Sequence, residues 1–264
     1  IARATVMEQY GQLSSARVKD KLLQQLQLPE PLLRLNALKA LGNYPPQEWQ
    51  AQATPLLYDA VLAVRNEAMN LLAPVSPTLA AADANQWRLV MNKYLALQEE
   101  MSHRPEGFFN RALLMASSGN ISGAEQLYLQ CVQRFPKFVQ AYSNLIDLYR
   151  QQGREEEAGK INASGLQHNP GSAYLNYANA MWLIRGKNND AAMVALNKAA
   201  ELAPADPQMQ YGYAIGLFSM GMQQQALGLL EKYTIKYGNR PLVLDGLISM
   251  SRDMKLEEKA AADE

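Results

Sequence analysis

The chain has few of the residues that carry most protein chemistry. One cysteine, Cys131, in 264 residues excludes an internal disulfide and any Cys-x-x-Cys metal or haem motif within this sequence. The only histidines, His103 and His168, stand far from each other and from Cys131, so these donors predict no transition-metal site. No run approaches the roughly 20 apolar residues of a membrane-spanning helix. Gly-rich phosphate loops and Gly-x-Ser-x-Gly elbows do not occur. A surplus of one charge is missing as well, because 25 basic residues cancel 25 acidic ones. Neutrality argues against nucleic acid as a partner, since that affinity rests on neutralising phosphates. It gives no support to a polybasic membrane anchor either. Glu155-Glu156-Glu157 reads as a solvated helix start, where carboxylates suit the positive end of the dipole, and not as an acid–base pair. The expectation is a protein that is not an enzyme and holds no cofactor or metal within this chain.

What is present is repetition. Ala124, Ala158, Ala192, Ala226 and Ala260 recur at one constant interval without an insertion. Pro136, Pro170 and Pro204 keep the same step, as do Gly119, Gly153 and Gly221, with Lys187 in the remaining slot. A 34-residue period with this punctuation is the signature of tetratricopeptide repeats, helix–turn–helix units stacked into a superhelix. The units are expected at 105–138, 139–172, 173–206 and 207–240, with a partial fifth at 241–264 whose helix is cut short. Small residues at the eighth position (Ala112, Ala180, Ala214, with Ile146 in the second unit) are expected to face the periodic alanines, letting helix axes approach to the short end of about 8–10 Å. Asn162 stands where a bulky residue is usual. Buried, it needs hydrogen-bond partners, and the unit around it is expected to be looser or its second helix rotated. Cys131 occupies a small-residue position and reads as a packed thiol.

Residues 1–77 have a different beat. Arg3, Arg34 and Arg65 recur at a slightly shorter equal step, and 32–38 and 62–68 read as two copies of one amphipathic helix. Second helices are expected over about 16–27 and 47–58. Two-helix units of this size with an arginine on the inner helix resemble short HEAT repeats, and the arginines are read as bonding to carboxylates or carbonyls nearby. Pro74-Val75-Ser76-Pro77 ends that region. Residues 78–104 are then a linker and a bridging helix over about 85–101, with Trp87, Val90, Met91, Tyr94, Leu95 and Leu97 on its apolar face. The predicted fold is all-α: a solenoid of short HEAT-like repeats followed by tetratricopeptides over 105–264.

In such an array the concave groove is lined mainly by the first helix of each unit. The first unit offers Phe109 and Leu113 there, the second Gln140, Ser143, Asn144, Asp147 and Arg150. The third presents Tyr174, Tyr177, Met181, Ile184 and Arg185, and the fourth Tyr211, Ile215 and Phe218. An aromatic and methionine-rich stripe on a face expected to be wet points to a groove that docks a peptide, a partner protein or a preceding domain of the same protein; the alternative is that the superhelix, or the HEAT-like segment, folds over it. Only Asn144 matches the carboxylate clamp that grips acidic chaperone tails, so such a tail is not the expected ligand. If the stripe is free surface, serine at Tyr177 or Tyr211 costs under about 1 kcal/mol.

The order of parts also carries a resemblance: HEAT-like units, a lone helix, the lead-in Arg104-Pro105-Glu106, then phrases such as residues 141–150 (AYSNLIDLYR), 152–158 (QGREEEA), Leu183-Ile184-Arg185 and 199–204 (AAELAP). This resembles the carboxyl-terminal region of bacterial multihaem c-type cytochromes that carry HEAT and tetratricopeptide repeats behind a haem-binding part. The resemblance implies export to the periplasm and a scaffold beside an electron-transfer domain, with haem held in a region preceding this chain. The start on Ile1-Ala2-Arg3 fits an excised part of something longer. Without such a region, a cytoplasmic adaptor is the other expectation.

Overall fold

The structure, a computed structural model, describes residues 16–262, with side chains described as far as Lys255. Among the described residues are fourteen α-helices, short 3-10 turns and no strand. Two compact units result, Ile1–Cys131 and Val132–Glu264.

The first unit holds α1 (Ala16–Gln25), α2 (Pro31–Leu41), α3 (Gln50–Ala53), α4 (Leu62–Leu72), α5 (Ala81–Glu100), α6 (Pro105–Ser117) and most of α7 (Ile121–Arg134). One apolar cluster runs through it, from Leu22 and Leu38 by way of Leu57, Met69 and Trp87 to Leu114. The helix expected over 47–58 is broken into a 3-10 turn at Pro46–Glu48, the single turn of α3, and a second 3-10 stretch at Thr54–Tyr58. The first break falls at Trp49, whose φ of -137° leaves the helical region; the second falls at Pro55, which has no amide hydrogen to give to an α-helical ladder. The buried Trp49 closes the break by donating from Nε1 to Tyr44 O at 2.9 Å.

Arg34 and Arg65 make the same bonds in successive units. Arg34 donates to the carbonyls of Leu28 and Pro29, and Arg65 to those of Asp59 and Ala60. Each thus clamps the loop leading into its own helix. Arg34 adds a bidentate pair to Asp59 at 2.7 and 3.0 Å, and Asp59 Oδ1 accepts from Val61 N at 2.8 Å. Burial pushes the Asp59 carboxyl up. Hydrogen bonds from Arg34 and Val61 outweigh it, helped by the charges of Arg34 and Arg65, and hold the group below the usual carboxylate range. The ladder is structural, as its spacing suggested. Arg3, its first rung, lies outside the described residues.

Helix α5 starts at Ala81, earlier than expected, and bridges its neighbours. Trp87 Nε1 donates to Met69 O at 2.9 Å, while Gln98 Oε1 accepts from Asn110 Nδ2 at 2.9 Å. Trp87 and Val90 are buried, but Leu97 is exposed and does not belong to the apolar face. Cys131 is fully buried, with its thiol directed at Pro105 O at 3.6 Å, and burial pushes its pKa up to about 11. It is a packed thiol.

The second unit comprises α8 (Val139–Gln151), α9 (Glu155–His168), α10 (Ala173–Arg185), α11 (Asn189–Leu202), α12 (Pro207–Ser219), α13 (Gln223–Tyr237) and α14 (Pro241–Ala262). Each helix packs chiefly on its neighbours in sequence, which is the nearest-neighbour construction of a solenoid.

The register is kept without a slip. First helices start at 105, 139, 173, 207 and 241, and second helices at 121, 155, 189 and 223. The turn between them recurs as well. Gly119, Gly153, Lys187 and Gly221 all take positive φ, at 87°, 72°, 59° and 79°. The turn residue bonds three residues back and the next one five back, as in Gly153 N to Arg150 O and Arg154 N to Tyr149 O; this is the Schellman stop that glycine suits best. Lys187 makes the same pair of bonds, to Ile184 O and Leu183 O, with a Cβ that crowds the backbone. Lys187→Gly is therefore expected to stabilise the second unit by about 1 kcal/mol, the left-handed penalty less glycine's extra entropy, read as a higher urea midpoint.

Ala124, Ala158, Ala192 and Ala226 are at most 2% exposed, and Ala112, Ile146, Ala180 and Ala214 at most 3%. Four of the five alanines therefore sit in tightly closed positions. The fifth does not repeat the pattern: α14 runs without a turn past Lys255 to Ala262, so no partial hairpin forms and Ala260 lies within one long helix. The turn slot there holds Lys255, a lysine as at Lys187, but here the helix continues through it.

Asn162 is 2% exposed. In the amide orientation that satisfies both partners, it donates to Leu175 O at 3.1 Å and accepts from Asn179 N at 3.2 Å. It pairs with the backbone of the next helix, and α9 keeps the same 14 residues as α7 and α11. The buried amide therefore has the partners it needs.

Candidate functional site

The strongest candidate is a cleft of about 310 Å³ bounded by α10, α11 and α12. Helical spacing brings its walls together. Tyr177, Met181 and Ile184 fall at i, i+4 and i+7 on α10, and Tyr211, Ile215 and Ser219 at i, i+4 and i+8 on α12. From α11 come Asn189, Ala192, Met193 and Leu196; Gly212, Gly216 and Met220 complete the lining. No lysine, arginine, aspartate or glutamate is among these residues. The apolar side chains Ile184, Ile215 and Met220 are 42%, 41% and 44% exposed, so they form an apolar surface open to water.

The two tyrosines do more than line the cleft. A Cβ on Gly212 would lie 2.5 Å from Tyr177 Cε2, and one on Gly246 would lie 2.6 Å from Tyr211 Cε2. Each ring is seated on bare backbone of the following unit, and the contact recurs from one unit to the next. Tyr177 and Met181 pack against the cluster of Ala180, Ala195 and Leu196, and Tyr211 against that of Ala214 and Leu230. Both tyrosines are half-buried wedges between hairpins. The expectation that serine there is nearly free is corrected on that ground.

The other sequence-predicted residues fall elsewhere. Phe109 and Leu113 belong to the first unit, the former half-buried with its ring 6.1 Å from that of Tyr128, the latter exposed. On α8, Gln140 is exposed, Asn144 is half-buried, and Ser143 donates to Val139 O. Asp147 pairs with Arg150 at 3.3 Å and accepts from Tyr174 Oη at 3.1 Å. Burial, then the Asp147 charge and hydrogen bond, push the Tyr174 pKa up to about 12. Arg185 pairs with Glu155 at 2.9–3.0 Å, which gives the first of the three glutamates a partner. Phe218 packs into the cluster of Leu217 and Leu230 and lies outside the cleft lining. Of the predicted stripe, Tyr177, Met181, Ile184, Tyr211 and Ile215 meet in an uncharged open cleft, Asp147, Arg150 and Tyr174 bond one another, and the rest lie outside the cleft.

Met193, Met220 and the two glycines were missed. Groove positions were counted on first helices alone, whereas Met193 sits on a second helix and Met220 just past the end of α12. His103 and His168 are exposed, and among the described residues no group of three or more His, Cys, Asp or Glu side chains is placed to hold a metal ion. Among those residues no helix is long and apolar enough to cross a membrane.

A family model described as tetratricopeptide repeat matches residues 115–181, from the end of α6 into α10. Among solved structures, yeast Tom70 is similar with a TM-score of 0.58 at 15% identity, covering 92% of this chain and 52% of its own. This chain therefore spans about half the length of Tom70. TTC0263, described as a thermophilic TPR protein in Thermus thermophilus, gives a TM-score of 0.48 at 20% identity, covering 72% of this chain and 98% of its own. YrrB, described as a TPR protein with an unusual peptide-binding site, gives 0.46 at 20%, covering 64% and 97%. No curated protein matches the chain. The chain carries a tetratricopeptide region within an all-helical array.

Proposed function

We propose that this chain is a non-catalytic scaffold that holds a segment of a partner protein in the cleft bounded by α10, α11 and α12. The carrying observation is the convergence of Ile184, Ile215 and Met220, all exposed, on an uncharged apolar hollow. Leaving that surface wet costs free energy that a partner's apolar side chains recover. No cation lines the cleft to meet a carboxylate, and Arg150 and Arg185 are paired with Asp147 and Glu155, so the segment is apolar and not an acidic tail. The test is selection of displayed 12-residue peptides on the chain, followed by affinity for the Ile215→Asp variant. A carboxylate at the mouth must be desolvated on binding. The expected loss is about tenfold or more with an unchanged melting curve, because Ile215 is well exposed. Undiminished binding by Ile215→Asp overturns the reading.

A narrower reading is supported by the repeat phrases over 141–158 and 183–204 alone. In it the scaffold accompanies a multihaem electron-transfer domain in the periplasm, with redox centres outside this chain. The donors present here do not fit haem, since the single cysteine is buried and belongs to no Cys-x-x-Cys-His motif. The parent reading frame tests it. Upstream Cys-x-x-Cys-His motifs behind an export signal are expected, and their absence leaves the cytoplasmic adaptor.

A further inference from the structure

The unbroken repeat register allows the cleft to be compared with the same place one repeat earlier and one repeat later. At the earlier place, Gly159 of α9 faces Trp182 of α10. The indole covers the glycine so closely that a Cβ there would lie 2.7 Å from Trp182 Cε2, and Nε1 donates to Glu155 O at 3.1 Å. At the later place, Leu227 of α13 and Met250 of α14 share one packed cluster. Between them the sizes are reversed. One repeat after Gly159 stands Met193, and one repeat after Trp182 stands Gly216. A Cβ on Gly216 would lie 2.5 Å from Met193 Sδ and 2.9 Å from Leu196 Cδ1, so Met193 leans onto the bare backbone of α12. A thioether replaces an indole, and the remaining space is the cleft.

We propose that the cleft is the socket of this missing aromatic side chain, and that it receives one tryptophan, phenylalanine or tyrosine from an uncharged stretch of the partner. The inference rests on the scaffold reading above and adds the chemistry of the anchor. The volume agrees: a cavity of about 150 Å³ takes benzene, so about 310 Å³ admits an indole with part of its backbone. Charge agrees too, since no ionic side chain lines the cleft and its polar lining residues, Tyr177, Asn189, Tyr211 and Ser219, are neutral. Met181, Met193 and Met220 add polarizable sulfur, which favours aromatic edges and adapts its shape to them.

The test selects peptides from a display library of uncharged 12-residue sequences. The selected peptides are expected to share an aromatic residue at one position, and alanine there is expected to weaken binding about 30-fold, as for an interface anchor. A second variant fills the socket from within. Gly216→Trp combined with Met193→Gly recreates the Gly159 and Trp182 pair of the preceding repeat. It is expected to keep its helical circular dichroism while losing the peptides, with a lower melting temperature, because Leu196 must shift and a glycine enters α11. Peptides with no common aromatic, an alanine change without effect, or a folded double variant that binds undiminished each overturn the proposal. If peptides bind through Ile215 without needing an aromatic, the scaffold reading stands and only the socket falls; if none is selected, both fall. The peptide substitution needs no variant protein, so the proposal is testable even if the double variant does not fold.

Discussion

Replacing Asp59 with alanine is expected to destabilise the first unit by about 2 kcal/mol, within the range for hydrogen bonds to charged groups, because the ion pair it breaks is partly buried. The Arg34 and Asp59 side chains are 12% and 7% exposed and joined by two hydrogen bonds, and the aspartate also holds Val61 N at the start of α4. Alanine removes all three bonds and leaves a partly buried guanidinium with only the carbonyls of Leu28 and Pro29. Those two carbonyls, and water at the exposed edge, limit the loss. Urea unfolding followed through the buried Trp49 and Trp87 reads it. The pH dependence has a fixed sign. The folded pKa of Asp59 is depressed, so its contribution is present above the unfolded value of about 3.9 and is lost as pH falls through the folded pKa. The gap between wild type and Asp59→Ala narrows in acid. Arg34→Met on top of Asp59→Ala is expected to recover part of the loss, because the stranded charge is then gone.

The second large effect concerns the wedges of the second unit. Tyr177→Ser and Tyr211→Ser are each expected to cost about 2–3 kcal/mol, below the range for a fully buried aromatic because both rings are half-exposed. The reason is the seat of each ring on Gly212 or Gly246, which serine leaves empty. Thermal melts of the single variants measure it, and a loss under about 1 kcal/mol would restore the free-surface reading. Weaker partner binding by these two variants therefore does not separate a contact from a distorted repeat. Ile184, Ile215 and Met220 are better probes of docking, being well exposed at the cleft.

Most of the carboxyl-terminal architecture was legible because its signals are local and repeated. A glycine in nearly every unit sets the turn, a proline shortly past α7, α9 and α11 marks the stop, and small alanines mark the close positions. Even Lys187 could be placed, since its slot is fixed by its neighbours. What failed depended on contacts that periodicity does not encode. The break within 47–58 comes at Trp49, held by its bond to Tyr44 O, and again at Pro55. The double role of Tyr177 and Tyr211 needs a glycine in the following unit, which no property of the tyrosines reveals. The cleft was half visible: Tyr177, Met181, Ile184, Tyr211 and Ile215 were named from groove positions, while Met193 and Gly216 become informative only when second helices are compared with the first helices that follow them.

The most direct measurement is amide hydrogen exchange of the chain with and without a peptide selected on it. Slowed exchange is predicted over residues 177–220, covering α10, α11 and α12, with α2 and α4 unchanged. Protection that falls elsewhere, or persists in Ile215→Asp, would contradict the claim that the open cleft left by the repeat register is where this chain meets its partner.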